Sequence, residues 1–429
     1  MSSWKVWLNT SSKENREQIG KNVWYDGLQE NIWKTESIIV IGNARIYNES
    51  SLWEMMERTK KIGNSPMEII VELYKIYGFE TMLEYLDGDY AFVLMDYNIF
   101  GEESRLFVAK DTFGIFPLYK IEYPDTSYKK VSFVPSERNP VSEFVATASI
   151  SEMKASPLYI EIPTSPYGKP HSNIYGFSSE SLDFEDASLE LVPNGTCQFF
   201  THSYKVSANW KPDGNMKLIY QLPFQSTYGW KKHEFRPPNI QNRLEEQIRI
   251  AVQKRVEWML EYQDQGTVGT VGFLKLSIGG GLLPSISLDS FLNIQVVEIK
   301  LQLFSSCDDI SLSLEEEYLE TKYPSLLQEI KTKIKSNNPG IIRAHFIPTL
   351  VAKTIVENYP EVKTVWMGEA FTYEYLEMNM FERRKWIKNV YFLEKVRAWT
   401  ETFLLYGLEI YMPFLDRMLV QSPDQYSRV

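Results

Sequence analysis

Apolar residues in the first two hundred positions are spaced as in strands separated by a few helices. A run of strand length covers 38–41, and further strands are predicted over 90–95 and from Leu106 onwards. Helical spacing covers 66–86, with Gly78 interrupting it. This part of the chain is therefore predicted to be α+β.

Two shorter signals complete this region. A strand is predicted over 158–162. Asn194 and Gly195 separate the apolar segments 189–192 and 197–200, and both residues tolerate a positive φ, so a β-hairpin is predicted there.

Beyond residue 240 the pattern changes to alternating helices and strands. A 240–262 helix is predicted because Leu244, Ile248, Val252, Val256 and Leu260 recur every four residues. Strand–helix alternation favours an α/β layer with a parallel sheet. The strands are predicted over 273–276, 294–304 and 362–367, and the other helices over 314–334, 344–358 and 381–405.

A proline-containing stretch from 206 to 238 separates the two patterns. At 429 residues the chain is too long for one ordinary core. We therefore predict two domains, 1–205 and 206–429.

Composition narrows the function classes. Hydrophobic residues make up 44% and charged residues 24%, which is typical of globular proteins. The net charge of −11 disfavours nucleic acid and anionic membranes. No apolar window has the length of a membrane-spanning helix, and the start does not resemble a signal peptide. A cytoplasmic protein without nucleic-acid or membrane partners is expected.

Metal and disulfide chemistry are also disfavoured. Cys197 and Cys307 are the two cysteines of the sequence, and neither pairs with a histidine at zinc-ligand spacing. No metal and no disulfide framework are expected. The aromatic content of 14% has two open interpretations, large cores or exposed anchors at a protein interface.

Two motifs point to a family. Residues 406–416 read Tyr-Gly-Leu-Glu-Ile-Tyr-Met-Pro-Phe-Leu-Asp, and 106–119 read Leu-Phe-Val-Ala-Lys-Asp-Thr-Phe-Gly-Ile-Phe-Pro-Leu-Tyr. Together they resemble asparagine synthetase, which hydrolyses glutamine in one domain and builds an amide with ATP in the other. The resemblance implies an N-terminal nucleophile-type, class II glutamine amidotransferase-like domain, followed by an α/β PP-loop ATPase-like asparagine synthase domain.

The resemblance implies a glutaminase site whose reactive residues are replaced. The family's cysteine nucleophile corresponds to Ser2. The family's Asn-Gly-Glu-Ile-Tyr-Asn, which supplies the oxyanion hole and a substrate-binding Glu, corresponds to 43–48; Asn43 is kept, whereas Ala44 and Arg45 replace Gly and Glu. Pro66 replaces the Asp that binds the glutamine ammonium group.

The synthetase site shows the same pattern. The family's Ser-Gly-Gly-Leu-Asp-Ser-Ser loop, which binds pyrophosphate and magnesium, corresponds to 277–285, and the second magnesium motif corresponds to 368–373. The sequence ends at Val429, before the region that carries further catalytic Lys and Arg, so a degenerate, C-terminally truncated member is expected. The vestigial positions are Ser277, Gly279, Gly280, Gly281, Leu283, Gly368, Glu369 and Thr372.

Three hypotheses follow. The first is a catalytically inactive pseudoenzyme that serves as a structural or interaction subunit of a larger assembly, without a cofactor. The second is a residual ATP-Mg-dependent amide-forming enzyme that uses ammonia, or a nucleotide-binding regulator. The third is a hydrolase that uses Ser2, with Asn43 lining its pocket and Arg45 binding an acidic substrate.

Overall fold

The computed structural model describes most of the two predicted regions. The described residues are 4–8, 17–20, 23–58, 65–97, 103–123, 129–132, 159–162, 174–179, 188–203, 210–219, 240–262, 270–276, 295–301, 323–334, 338–367, 390–413, 415–417 and 419.

Helices and strands occur in both regions. The helices are α1 (Glu49–Met55), α2 (Met67–Tyr77), α3 (Phe79–Tyr85), α4 (Ile240–Tyr262), α5 (Pro324–Ile334), α6 (Pro339–Asn358) and α7 (Val390–Leu405). The strands are β1 (Trp4–Leu8), β2 (Glu17–Gly20), β3 (Val23–Gly27), β4 (Ile32–Lys34), β5 (Ile38–Ile46), β6 (Gly88–Asp96), β7 (Glu103–Lys110), β8 (Tyr119–Tyr123), β9 (Lys129–Ser132), β10 (Tyr159–Ile162), β11 (Ile174–Ser178), β12 (Ser188–Leu191), β13 (Thr196–Ser203), β14 (Lys211–Pro212), β15 (Lys217–Leu218), β16 (Thr270–Leu276), β17 (Gln295–Leu301), β18 (Thr364–Met367) and β19 (Glu409–Tyr411).

The N-terminal region folds into two antiparallel sheets. One has the strand order β12-β8-β11-β1-β3-β2, and the other has the order β14-β13-β7-β6-β5-β4 with β15 beside β13. The strands predicted over 38–41, 90–95 and from Leu106 are confirmed as parts of β5, β6 and β7. The boundary near residue 205 stays a prediction; strands from 211–218 pair with β13.

The second of these sheets is covered on both faces, which explains why the first four residues of β5 and the middle of β6 are apolar on both faces. Successive side chains of a strand point to opposite faces. Ile39, Ile41 and Val93 pack with residues of the first sheet, whereas Val40 and Phe92 pack with α1, α2 and α3.

The predicted helical segment 66–86 is confirmed as two helices separated at Gly78. Gly78 has φ +75° and ψ 174°, a conformation that is essentially restricted to glycine.

Replacing Gly78 with alanine is expected to lower the free energy of unfolding by about 1–3 kcal/mol. Urea unfolding measures this, with Gly340→Ala in the first turn of α6 as a control that stays within about 1 kcal/mol of the parent. Equal effects of the two changes would contradict the prediction.

The hairpin predicted at Asn194 and Gly195 is wrong. The two residues form a turn in which Gly195 has φ +65°, but the flanking strands belong to different sheets: β12 pairs with β8, and β13 pairs with β7. The Asn194 amide donates to the carbonyl oxygen of Phe113 at 2.9 Å. The turn therefore carries the chain from one sheet to the other.

The C-terminal region contains the predicted parallel sheet, with the order β17-β16-β18-β19. Its helices α4, α6 and α7 pack on β18 and β19 in one core. Phe113 and Ile115 from the N-terminal region are members of that core. We use "N-terminal half" for residues before 205 and "C-terminal half" for later ones; a shared core joins them.

Helices that combine the length and the apolar character needed to cross a bilayer are absent from the described part of the chain.

Candidate functional site

Strand β5 fixes the segment that resembles the family's glutamine-binding motif. Asn43 lies opposite Ala91, and Arg45 lies opposite Asp89 in the β5–β6 ladder. Ala44 points into the core formed with the N-terminal helices. Asn43 and Arg45, one residue to either side, therefore point to the opposite face.

The Asn43 side chain is held by another amide. Asn31 donates to Asn43 Oδ1 at 2.8 Å and lies 3.3 Å from the carbonyl oxygen of Gly42. Both asparagines are buried. Because Oδ1 accepts this bond, the Asn43 amide has a fixed orientation.

Arg45 reaches into the C-terminal half. It is 1% exposed, and its Nη1 donates to the carbonyl oxygen of Ile410 at 2.8 Å. Carboxylates of Asp89 and Glu409 lie 3.8 Å and 3.7 Å from its guanidinium nitrogens. Arg45 thus ties β5 to β19.

Aromatic rings surround the same guanidinium group. Its carbon lies 4.0 Å from the ring centre of Tyr411, 5.0 Å from that of Phe116 and 6.0 Å from that of Trp258. A cation over a ring face is attracted by the ring quadrupole. Burial opposes the charge of Arg45, but Tyr411, Glu409 and neighbouring groups outweigh it and raise the pKa above its ordinary value. The cation is therefore permanent.

A second set of ion pairs lies beside Arg45. Lys254 of α4 lies 2.6 Å from Asp87 Oδ2 and 2.8 Å from Asp416 Oδ2. Arg255 donates to Asp416 Oδ2 at 2.7 Å and to the carbonyl oxygen of Leu415 at 3.1 Å. Burial opposes ionisation of Asp416, but Lys254 and Arg255 outweigh it and hold the pKa of that carboxyl below its usual range.

Tyr47 connects the two sets. Its hydroxyl donates to Asp89 Oδ2, and the Arg255 guanidinium carbon lies 4.5 Å from its ring centre. Burial raises the pKa of Asp89, although Arg255 and Arg45 act in the opposite direction. We call the whole set the polar junction; it consists of Arg45, Tyr47, Asp87, Asp89, Lys254, Arg255, Glu409 and Asp416.

The polar junction accounts for two positions that the sequence keeps from the family motif at 406–416. Glu409 lies beside Arg45, and Asp416 is paired with Lys254 and Arg255. Tyr411, which replaces the motif's Arg, supplies the nearest ring to Arg45. Glu409 therefore acts between the halves, whereas Asp416 holds the two cations of α4 within the C-terminal half.

Other predicted positions lie apart from the junction or outside the described residues. Pro66 directly precedes α2, where Ser65 Oγ accepts from the Met67 amide at 3.2 Å. Groups of three or more His, Cys, Asp or Glu that could hold a metal are absent among the residues described. The positions outside the described residues are Ser2, Ser277, Gly279, Gly280, Gly281, Leu283, Gly368, Glu369 and Thr372.

Sequence reasoning missed Lys254 and Arg255. Apolar residues four apart advance by about 40° per step around a helix of 3.6 residues per turn, so the predicted stripe drifts. Ile248, Val252 and Val256 are buried, whereas Leu260 is 45% exposed. A stripe drawn with the true period includes position 255 and would have marked the buried charge.

Comparisons with known proteins find a family match that includes β5 and several similar proteins. Residues 25–137 match the model of the glutamine amidotransferase domain. An asparagine synthetase (glutamine-hydrolysing) of Cricetulus griseus is 24% identical over 407 residues, covering 87% of this chain and 62% of the relative. The chain is therefore similar to asparagine synthetases along most of its length.

Two further relatives match shorter stretches of the chain. A putative asparagine synthetase of Methanocaldococcus jannaschii is 33% identical over 115 residues, which cover 27% of this chain and 19% of the relative. The amidase chry2 of Gibberella zeae is 36% identical over 83 residues, 19% of this chain and 12% of the relative. In each of the three comparisons the match covers less than two thirds of the curated relative.

Proposed function

We propose that this chain is a catalytically inactive member of the asparagine synthetase family and serves as a structural or interaction subunit of a larger assembly. Within this proposal, the N-terminal half has the N-terminal nucleophile-type fold of class II amidotransferases. The C-terminal half is a PP-loop ATPase-like layer, in agreement with its parallel sheet. The protein partner, rather than a substrate or cofactor, is then the functional ligand.

The burial of Arg45 carries the proposal. By the family resemblance this position holds a Glu that helps to bind the amino group of glutamine. Here a permanent cation occupies it, donates to Ile410 in the other half and is 1% exposed. A second cation brought to this place would be repelled, and moving the guanidinium away would leave Asp89 and Glu409 without it.

The replaced nucleophile and ligands support the same conclusion. A hydroxyl at Ser2 is far less readily ionised than the family's thiol. Pro66 offers no carboxylate for an ammonium group. Leu283 and Thr372 replace two magnesium-binding Asp residues of the family, and ATP-dependent adenylation relies on such metal-bound charge neutralisation.

Isothermal titration calorimetry of the purified chain tests the inactivity. ATP with magnesium, glutamine and ammonium, added in turn, are each expected to give no heat of binding, because the ligands for magnesium and for the glutamine ammonium are replaced. A catalytically competent asparagine synthetase treated in parallel is the positive control. Micromolar ATP binding would contradict the proposal and favour the alternative, a residual ammonia-using amide-forming enzyme or a nucleotide-binding regulator.

Two further measurements separate the remaining outcomes. Glutamine hydrolysis abolished by Ser2→Ala would support the hydrolase hypothesis and overturn the inactivity. Cross-linking in the native cell, followed by size fractionation, is expected to place the chain in a stoichiometric complex. Recovery of the chain only as a free monomer would contradict the structural role.

A further inference from the structure

A second buried polar cluster joins the halves through Glu401 of α7. The Tyr119 hydroxyl at the start of β8 donates to Glu401 Oε1, while Glu401 Oε2 lies 3.1 Å from His345 Nε2 on α6. Glu401 is 7% exposed and His345 is fully buried. The carboxyl group of Glu401 therefore links two helices of the C-terminal half to a strand of the N-terminal half.

The hydrogen-bond partners of His345 fix its tautomer. Nδ1 lies 2.8 Å from the carbonyl oxygen of Ile341, and a carbonyl oxygen can only accept. Nδ1 therefore carries a hydrogen, and Nε2 of the neutral ring is an acceptor. An ionised carboxylate is an acceptor as well, so the 3.1 Å contact with Glu401 requires a proton between the two atoms.

The surroundings place that proton on Glu401. Burial raises the pKa of Glu401 to about 8, although Lys110 acts in the opposite direction. Burial lowers the pKa of His345 to about 4. The hydrogen bond to Ile341 acts in the opposite direction, and the positive charge of Arg397 lowers the pKa further. At neutral pH the carboxylic acid donates and the imidazole accepts.

The charged and titratable groups that face Glu401 in the described part of the chain come from four elements. Arg397, on α7 itself, has its Nε 3.9 Å from Oε1, and α6 contributes His345. Strand β8 contributes Tyr119. Lys110 at the end of β7 is buried with Asp111 next to it; burial lowers the pKa of Lys110 to about 8, against the effect of Asp111 and Glu401.

We propose that Glu401 is a neutral carboxylic acid that holds α6 and α7 against the N-terminal half, and that loss of its proton at alkaline pH loosens this contact. Once ionised, Oε2 faces the lone pair of His345 Nε2, and two acceptors in contact repel each other. Relief requires either a rotation of Glu401 or separation of α7 from β8. The contact between the halves is thus controlled by a proton, whether or not the chain is catalytic.

The sign of the pH dependence follows from linkage. With the contact closed, Glu401 keeps its proton up to about pH 8; with the contact open, it ionises at its ordinary, lower value. Below the ordinary pKa of histidine, about 6.5, opening lets His345 take up a proton, which cancels the proton lost by Glu401. Between about pH 6.5 and pH 8 the closed state binds one more proton, so raising the pH over this range favours opening by about tenfold per pH unit.

Hydrogen exchange of the full chain across this range, measured by mass spectrometry, tests the proposal. The exchange rates of α7 amides are divided by those of β6 amides, which removes the pH dependence of intrinsic exchange. In the wild type this ratio is expected to rise about tenfold per pH unit. The E401Q variant keeps a donor for His345 and an acceptor for Tyr119 but cannot ionise, so its ratio is expected to be independent of pH. E409Q, which changes a different carboxylate between the halves, should retain the wild-type slope.

Equal slopes in the wild type and E401Q would overturn the proposal. If E401Q does not fold, the wild type alone decides the matter by nitrogen-15 NMR of its histidines. A neutral His345 with hydrogen on Nδ1 at pH 6 supports the proposal, and an imidazolium there contradicts it. Burial also raises the pKa of Asp111, to about 7, so an infrared carboxylic-acid band checks Glu401 only if it is lost between pH 6 and pH 9 in the wild type and is missing from E401Q.

Discussion

Replacing Arg45 with glutamate is expected to lower the free energy of unfolding by about 5 kcal/mol. The change places a carboxylate beside Asp89, Glu409 and the carbonyl oxygen of Ile410, all of which now interact with a cation. The site is buried, so water cannot screen the repulsion. Urea denaturation followed by circular dichroism measures the change, and the variant is expected to unfold at a much lower urea concentration.

Two control variants separate the charge reversal from simple loss of the side chain. R45M keeps an unbranched apolar stem against Tyr411 and is expected to cost about 3 kcal/mol, because Asp89 is left without this cation. R249E reverses an exposed arginine of α4 that pairs with Glu246, and it should cost less than about 1 kcal/mol. An R45E variant as stable as R249E would contradict the placement of Arg45 in the polar junction.

R45E also bears on the proposed inactivity, because it reinstates the residue type of the family motif. Glutamine hydrolysis is expected to stay absent in this variant, since Ser2 and Pro66 still replace the nucleophile and the ammonium ligand. Activity of R45E above that of the wild type would mean that a single substitution had silenced a working site.

The sequence predicted those helices and strands that the local spacing of apolar residues and glycines reveals. The first four residues of β5 are apolar on both faces because they lie between a sheet and helices, and this run of Ile and Val marked the strand. Gly78 marked the break between α2 and α3, since its conformation is one that other residues avoid. The strand–helix alternation beyond residue 240 predicted the parallel sheet.

The missed features depend on contacts between distant positions. Arg45 and Ile410 are 365 residues apart, and Tyr119 and Glu401 are 282 apart. Neither pairing leaves a periodic signal, because each cation or acid is one residue within an otherwise ordinary strand or helix. The hairpin prediction failed for the same reason, since Gly195 determines that the chain turns but not which sheet the next strand joins.

Replacing Arg255 with methionine is expected to lower the free energy of unfolding by about 3–5 kcal/mol. The guanidinium donates to Asp416 at 2.7 Å and to the carbonyl oxygens of Ala251 and Leu415 at 2.9 Å and 3.1 Å. Methionine fills similar space without a donor, so these three acceptors lose a partner in a buried site. Urea denaturation again gives the measurement.

The double variant R255M/D416L shows how much of this loss belongs to the charge pair. In R255M the Asp416 carboxylate keeps only Lys254 of its two cations. Removing both partners also removes this carboxylate, so the double variant is expected to be about 1–3 kcal/mol more stable than the sum of the single effects. Lys254 then keeps Asp87 as its partner at 2.6 Å. Strict additivity would mean that Arg255 stabilises the protein through its carbonyl partners and the Tyr47 ring rather than through Asp416. The charged contacts between the halves would still be those of Arg45 and Lys254, since Arg255 and Asp416 both lie in the C-terminal half.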